Sequence, residues 1–268
     1  MPSTKAIQQQ RILLPNKIKL QNFPVYKSIS KNKQLDRSIH FLHIGKTGGT
    51  AIKHVLAPLC QQWPKLQLHV HPTRLQDVPV GQAVFFFLRD PVARFVSGFY
   101  SRQRKGQPRY NSSWSTAEAQ AFARFNSANA LALALSASDP AECNAAHAAM
   151  SAIQHVRDSY WYWLGSPDAL WQRRHDVLLI GQQEHLADDV RILGQLLGLP
   201  LCALPTDPIQ AHRHPGPPPP PLQPQARLNL QAWYAADYAA LATCRQLAQE
   251  LRLPGSLARA TGATLPGG

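Results

Sequence analysis

Acidic residues are scarce in this chain. Fifteen Asp and Glu stand against 28 Lys and Arg, giving a formal net charge of +13 over 268 residues. The imbalance points to anionic partners: nucleic acid, acidic lipid, a phosphorylated cofactor or an acidic glycan. Cysteine is also scarce. Cys60, Cys143, Cys202 and Cys244 lie far apart and none forms a CxxC pair, which excludes zinc-ribbon and thioredoxin-type sites. In a cytosolic chain they read as thiols; two disulfides stay open for an oxidising compartment. There is no apolar run long enough to span a bilayer. The most apolar window, Ala128 to Leu135, is short and follows Arg124 and Asn126. Ile12-Leu13-Leu14 is cut off by Pro15, so no secretory core is expected, and a cytoplasmic protein is the expectation. Hydrophobic residues still reach 44%, enough for a core and too many for wholesale disorder.

Residues 1–37 stand apart. They hold Lys5, Arg11, Lys17, Lys19, Lys27, Lys31, Lys33 and Arg37 against Asp36, and so carry +7 of the total charge. This segment reads as a flexible, solvated basic arm, with a polyanion-holding arm as the sharper alternative. A folded domain is expected over 38–253 and a loose tail over 254–268. Within the domain, Ile39 to Ile44 is a β-rich run ending at Gly45. Ile52, Val55, Leu56 and Leu59 follow at helical spacing, bounded by Pro58 and Pro64. Leu66 to Val70 reads as a second strand. Ala83 to Leu88 reads as a buried central strand, and Asp90-Pro91 as the N-cap and first residue of the next helix. Thr116 to Leu164 is Ala-rich and helical, with a break at Asp139-Pro140. Val177 to Ile180 is another buried strand, followed by a helix on Leu186, Val190, Leu193 and Leu197. The Pro-rich stretch 215–224 cannot be regular helix, and a last amphipathic helix runs from Leu230 to Leu251. Strands alternating with helices make this an α/β chain, a parallel sheet flanked by helices in a single domain.

Two segments carry chemistry. Gly45-Lys46-Thr47-Gly48-Gly49-Thr50 follows a strand and opens a helix. Glycines let the backbone turn its N–H groups inward, the helix start adds partial positive charge and Lys46 a full one, which makes a cradle for phosphate or a similar anion. The order is not that of a Walker A box, where the Lys follows the second Gly. The other segment runs from Arg89-Asp90-Pro91 to Ser97. Arg89 closes the central strand, where open α/β sheets bind ligands, and Ser97 lies on the following helix; together they suit a second phosphate. Arg94 is a further cation nearby.

Together the two segments resemble the sulfotransferases that use 3′-phosphoadenosine 5′-phosphosulfate (PAPS), and among them the carbohydrate enzymes of the heparan sulfate 2-O type. In that family K-[ST]-G-[GS]-[TS] binds the 5′-phosphosulfate, and an Arg ending a second strand, with a Ser eight residues on, binds the 3′-phosphate. Lys46, Thr47, Gly48, Gly49, Thr50, Arg89 and Ser97 match, and the resemblance spans about residues 39–252. It implies a P-loop-like sulfotransferase fold and a sulfuryl transfer from PAPS to a hydroxyl, with Lys46 stabilising the leaving phosphate. It implies no metal, since the adenylate leaving group already activates the sulfuryl group.

A general base is also implied, and His69 or His71 in Leu68-His69-Val70-His71 supplies it, His69 placed first. On a strand the two would share one face. Some relatives carry a Glu near the start of the first helix, where this chain has Lys53 and His54. His43 reads as a strand residue. Arg213, in Ala211-His212-Arg213-His214, is a candidate for the 3′-phosphate, by resemblance to a basic loop at that point in the family. Tyr160-Trp161-Tyr162-Trp163 reads as core packing ahead of sugar stacking, and Gln154, His155 and Arg157 are candidates for acceptor contact. The implied partners are PAPS, its product adenosine 3′,5′-bisphosphate (PAP) and a glycan hydroxyl. A tyrosine, lipid or small-alcohol acceptor is the near rival, and a kinase or a nucleic-acid-binding module the distant ones. Nothing in the sequence sets an oligomeric state.

Overall fold

The computed structural model describes residues 37–61, 63–199, 203–207, 210–211 and 215–259. Most of the basic arm, Cys202 and the His212–His214 segment lie outside them. Arg37, at the arm's end, donates to the His175 carbonyl and faces Asp176 at 3.7 Å.

Four parallel strands form the sheet, in spatial order β2-β1-β3-β4. They are β1 (Ile39–Phe41), β2 (Leu66–Leu68), β3 (Ala83–Leu88) and β4 (Val177–Gln182). Every residue of β3 is buried, as its unbroken apolar run Ala-Val-Phe-Phe-Phe-Leu requires of a strand covered on both faces. Helix α1 (Gly49–Cys60) follows β1, and α2 (Pro91–Gln103) follows β3. Asp90 caps α2 by accepting from the Ala93 N–H at 2.8 Å, with Pro91 in the first turn. Next come α3 (Thr116–Arg124), α4 (Ala128–Ala134), α5 (Pro140–Ala152), α6 (Tyr160–Leu164) and α7 (Pro167–Gln172). Ser115, Ser127, Asp139, Ser159 and Ser166 each cap the helix that follows, so the Ala-rich stretch is divided where short polar side chains compete for backbone N–H groups. After β4 come α8 (Leu186–Leu197), α9 (Pro224–Trp233), α10 (Ala235–Glu250) and α11 (Ser256–Arg259).

Phe41, Phe85, Phe87 and Leu179 pack under Ile52, Val55 and Leu56 of α1 and Leu193 of α8. On the other face Val84, Phe86 and Leu88 meet Tyr160, Trp163, Cys244 and Leu247. A satellite core gathers Phe95 and Phe99 of α2 with Phe122, Leu131, Met150 and Leu230. Burying each such side chain contributes about 1.5–3 kcal/mol. Cys60, Cys143 and Cys244 are free thiols. Among the described residues no helix is long and apolar enough to cross a membrane.

Four expectations need correction. Strand β2 stops at Leu68, so His69 and His71 are not strand neighbours. The last amphipathic helix is two helices, broken at Tyr234. Pro224, assigned to the Pro-rich loop, is the first residue of α9, where its missing N–H costs nothing. The tail does not come loose at 254: Gly255, Ser256 and Leu257 are buried, and the Ser256 N–H and hydroxyl both donate to the buried Asp189 carboxylate, at 2.7 and 2.5 Å.

Candidate active site

Beyond Phe41 the chain turns off the sheet. The Leu42 N–H still bonds the Phe85 carbonyl at 3.0 Å, but His43 and Ile44 bend away, both buried. The Thr47 hydroxyl donates to the Ile44 carbonyl at 2.9 Å and ties the turn shut. Lys46 and Gly48 take left-handed backbone, φ 67° and 90°. Gly48 is the N-cap of α1 with no side-chain cap. The first N–H groups of α1 therefore have no intrahelical partner, and Gly48, Gly49 and Thr50 line a cleft of about 720 Å³. At Gly49 a Cβ would lie 2.1 Å from the His43 ring, so the imidazole sits directly against the helix start.

The turn is held from α2. Arg94, expected as a cation for the anion, is instead 1% exposed and structural. Its Nε donates to the Gly45 carbonyl at 3.2 Å and its Nη2 to the Asp158 carbonyl. Its Nη1 faces Asp237 at 3.6 Å, and the guanidinium lies over Tyr160, 4.8 Å from the ring centroid.

Arg89 reaches the cleft from the end of β3. Its backbone is clamped by Tyr160, whose hydroxyl accepts from the Arg89 N–H at 3.1 Å and donates to the Arg89 carbonyl at 2.6 Å. One guanidinium nitrogen donates to the Lys46 carbonyl at 3.4 Å, while Nε is buried with no hydrogen-bond partner among the described residues. Lys46 is held down to about 7 by burial and by the charges of Arg104 and Arg89. Ser97 of α2 and Arg104, the C-cap residue at its end, line the cleft. Lys46 has no carboxylate among the charges acting on it, Arg89 has only Glu184 and Asp90 nearby, and these cations beside uncapped helix N–H groups fit a ligand with more than one anionic group.

Five histidines cluster near the cradle and separate into two sets. His43 and His71 pack in a tilted arrangement with centroids 3.8 Å apart, and His71 lies 5.7 Å from His155; all three line the cleft. Burial, with the neighbouring positive groups, holds His43 down to about 2 and His155 well below its usual value. His71 is lowered by burial of its packed side and by Lys53, while a hydrogen bond to the His43 backbone opposes the shift. These rings are neutral near pH 7. The second set is a pair: His40 Nδ1 and His69 Nε2 are 2.8 Å apart in a stacked hydrogen bond, and neither ring lines the cleft.

Of the sequence candidates, the cleft brings together Lys46, Gly48, Gly49, Thr50, Arg89, Ser97, His71 and His155. Thr47 is buried behind it, His69 lies outside it, and Arg213 is outside the described residues. Gln154 and Arg157 do not line it. The sequence reading missed His43, taken for a strand residue, and the positioning roles of two core aromatics. Tyr160 fixes Arg89, and the Trp163 indole N–H donates to the His71 carbonyl at 2.7 Å. Arg104, the C-cap residue of α2 seven positions after Ser97, was also missed.

Residues 34–201 match the model of the sulfotransferase family. The chain belongs to that family. No curated protein matched it. Its parallel sheet flanked by helices in one domain agrees with the sulfotransferase fold, and its activity is that of a sulfotransfer enzyme. Among the described residues no cluster of three or more His, Cys, Asp or Glu is placed to hold a metal ion in this sulfotransferase.

Proposed function

We propose that the enzyme moves the sulfuryl group of PAPS to a carbohydrate hydroxyl. Lys46, Gly48, Gly49 and Thr50 take the donor's 5′ group. Arg89 and Ser97 take the 3′-phosphate, with Arg213 added from the resemblance. Thr47 serves through its backbone, since its hydroxyl closes the turn. His71 is the base. It lines the cleft, whereas His69 is committed to His40 outside it. A neutral imidazole can accept a proton near neutral pH.

In the transfer the acceptor oxygen forms a bond to sulfur as the sulfur–oxygen bond to the 5′-phosphate breaks. The hydroxyl proton goes to His71, and the leaving phosphate keeps the electron pair beside Lys46. The observation that carries this reading is that one cleft holds both the cations Lys46 and Arg89 and the neutral imidazoles. The carbohydrate acceptor rests on the resemblance.

Calorimetric titration with PAP, using ADP and AMP as controls, tests the donor site. Selective PAP binding that weakens in Lys46→Ala and Arg89→Ala is expected. Equal affinity for ADP would overturn the assignment. PAPS turnover with desulfated heparin, set against tyrosine peptides and simple alcohols, tests the acceptor.

A further inference from the structure

The sulfotransfer mechanism gives no step to His155, which the sequence offers only as a candidate for acceptor contact, and any part this residue plays in the transfer rests on that reading. His155 lines the cleft and has φ 68°, one of four non-glycine residues with positive φ among those described. Left-handed backbone costs a residue with a Cβ roughly 1–2 kcal/mol, and such strain persists only where the surroundings impose it. Here α2 imposes it. A Cβ at Gly98 would come within 3.0 Å of the His155 carbonyl, so the glycine makes room for the close approach that turns this ring into the cleft.

The setting of the ring is unusual. Its centroid is 5.7 Å from that of His71, and the charges that press on it are Lys46, His71, Arg102 and Arg94, with no carboxylate among the largest influences. Arg102 is committed to Glu118 at 2.8 Å and Arg94 faces Asp237, which leaves Lys46 as the unbalanced charge. Among the described residues no hydrogen bond engages the imidazole. Burial in this positive field keeps it neutral, so it carries one N–H and no charge.

We propose that His155 is a catalytic residue of the transfer, its ring N–H donating a hydrogen bond to a non-bridging oxygen of the sulfuryl group between Lys46 and His71. The sulfuryl group must present its sulfur in line with the incoming hydroxyl and the departing phosphate. A neutral donor fixes that orientation without adding a charge that would hold the bound donor as tightly as the transition state. His155 gains and loses no proton over the cycle; the acceptor's proton still goes to His71.

Two substitutions remove the ring without backbone strain. His155→Gly accepts the left-handed backbone and has no donor side chain; His155→Asn tolerates the same backbone and keeps an amide N–H. PAP release from PAPS is measured with desulfated heparin and with water alone as acceptor, alongside calorimetric PAP affinity. For His155→Gly, kcat is expected to fall about 10²-fold, the scale of a misplaced reacting group, with PAP affinity within about twofold of wild type. His155→Asn is expected to recover about tenfold of that loss. An unchanged kcat in His155→Gly would overturn the proposal, as would an equal loss in both variants or a rate loss matched by lost PAP affinity. Wild-type protein that fails to bind PAP refutes the sulfotransfer reading itself, before any variant is made, and this inference with it.

Discussion

Arg94 Nε donates to the Gly45 carbonyl at 3.2 Å, so one buried side chain of α2 holds the turn that forms the anion cradle. The same guanidinium is the counter-charge of Asp237, a carboxyl already pushed up by burial. Arg94→Met would leave Asp237 buried without its partner. Breaking a buried pair in this way costs about 3–5 kcal/mol. Urea unfolding followed by tryptophan fluorescence should show a lowered midpoint, and PAP binding should weaken. Arg94→Lys should recover little, because an ammonium cannot span the Gly45, Asp158 and Asp237 acceptors at once. A wild-type midpoint for Arg94→Met would refute the role.

The depressed Lys46 makes PAP binding proton-linked. An anion in the cradle favours the ammonium form and raises a group now held at about 7. Binding should therefore take up a proton above about 7, and PAP affinity should fall as pH rises through that value. Titrations in two buffers of different ionisation enthalpy measure the uptake. Lys46→Arg should abolish it, since a guanidinium stays charged. Equal wild-type enthalpies in both buffers would exclude the linkage.

His71 and His69 should separate kinetically. His71→Ala is expected to cut kcat by about 10²–10⁴-fold at unchanged PAP affinity, the usual range for losing a general base. His69→Ala should keep kcat near wild type and cost about 1 kcal/mol of stability through the lost hydrogen bond to His40. The reverse pattern would assign the base to His69.

Gly49→Ala should abolish PAP binding, because the new methyl would sit 2.1 Å from the His43 ring, which is buried. Overpacking of this kind costs about 1–3 kcal/mol. The double variant Gly49→Ala, His43→Ala opens the space and should regain thermal stability. No recovery of the melting temperature in the double variant would show that the glycine is needed for another reason.

The legible parts of the molecule were local ones. The Lys-Thr-Gly-Gly-Thr turn and the Arg-Asp-Pro helix start each lie within one strand–turn–helix unit, so their residue types state their geometry. His69 and His71 were harder, because a shared face required a strand that continued past Leu68, and pairing with β1 ends there. His43 looked like a strand residue in a β-rich hexapeptide; only the end of β1 at Phe41 sends it into the cleft. The task of Arg94 depends on Asp237, far along the chain, which no local pattern could announce. The backbone at His155 depends on tertiary contact with Gly98 in the same way.

The clasp between Asp189 and Ser256 has a consequence for solubility. Among the described residues β4 pairs only with β3, which leaves one side of it as a sheet margin able to recruit a strand from another molecule. Helix α11 packs against β4, and Asp189 fastens it there while also accepting from the Gln182 N–H at 2.7 Å. The opposite margin, β2, is three residues long. One margin is thus covered and the other too short to template much, and a chain cut before Ser256 would expose β4 to intermolecular pairing.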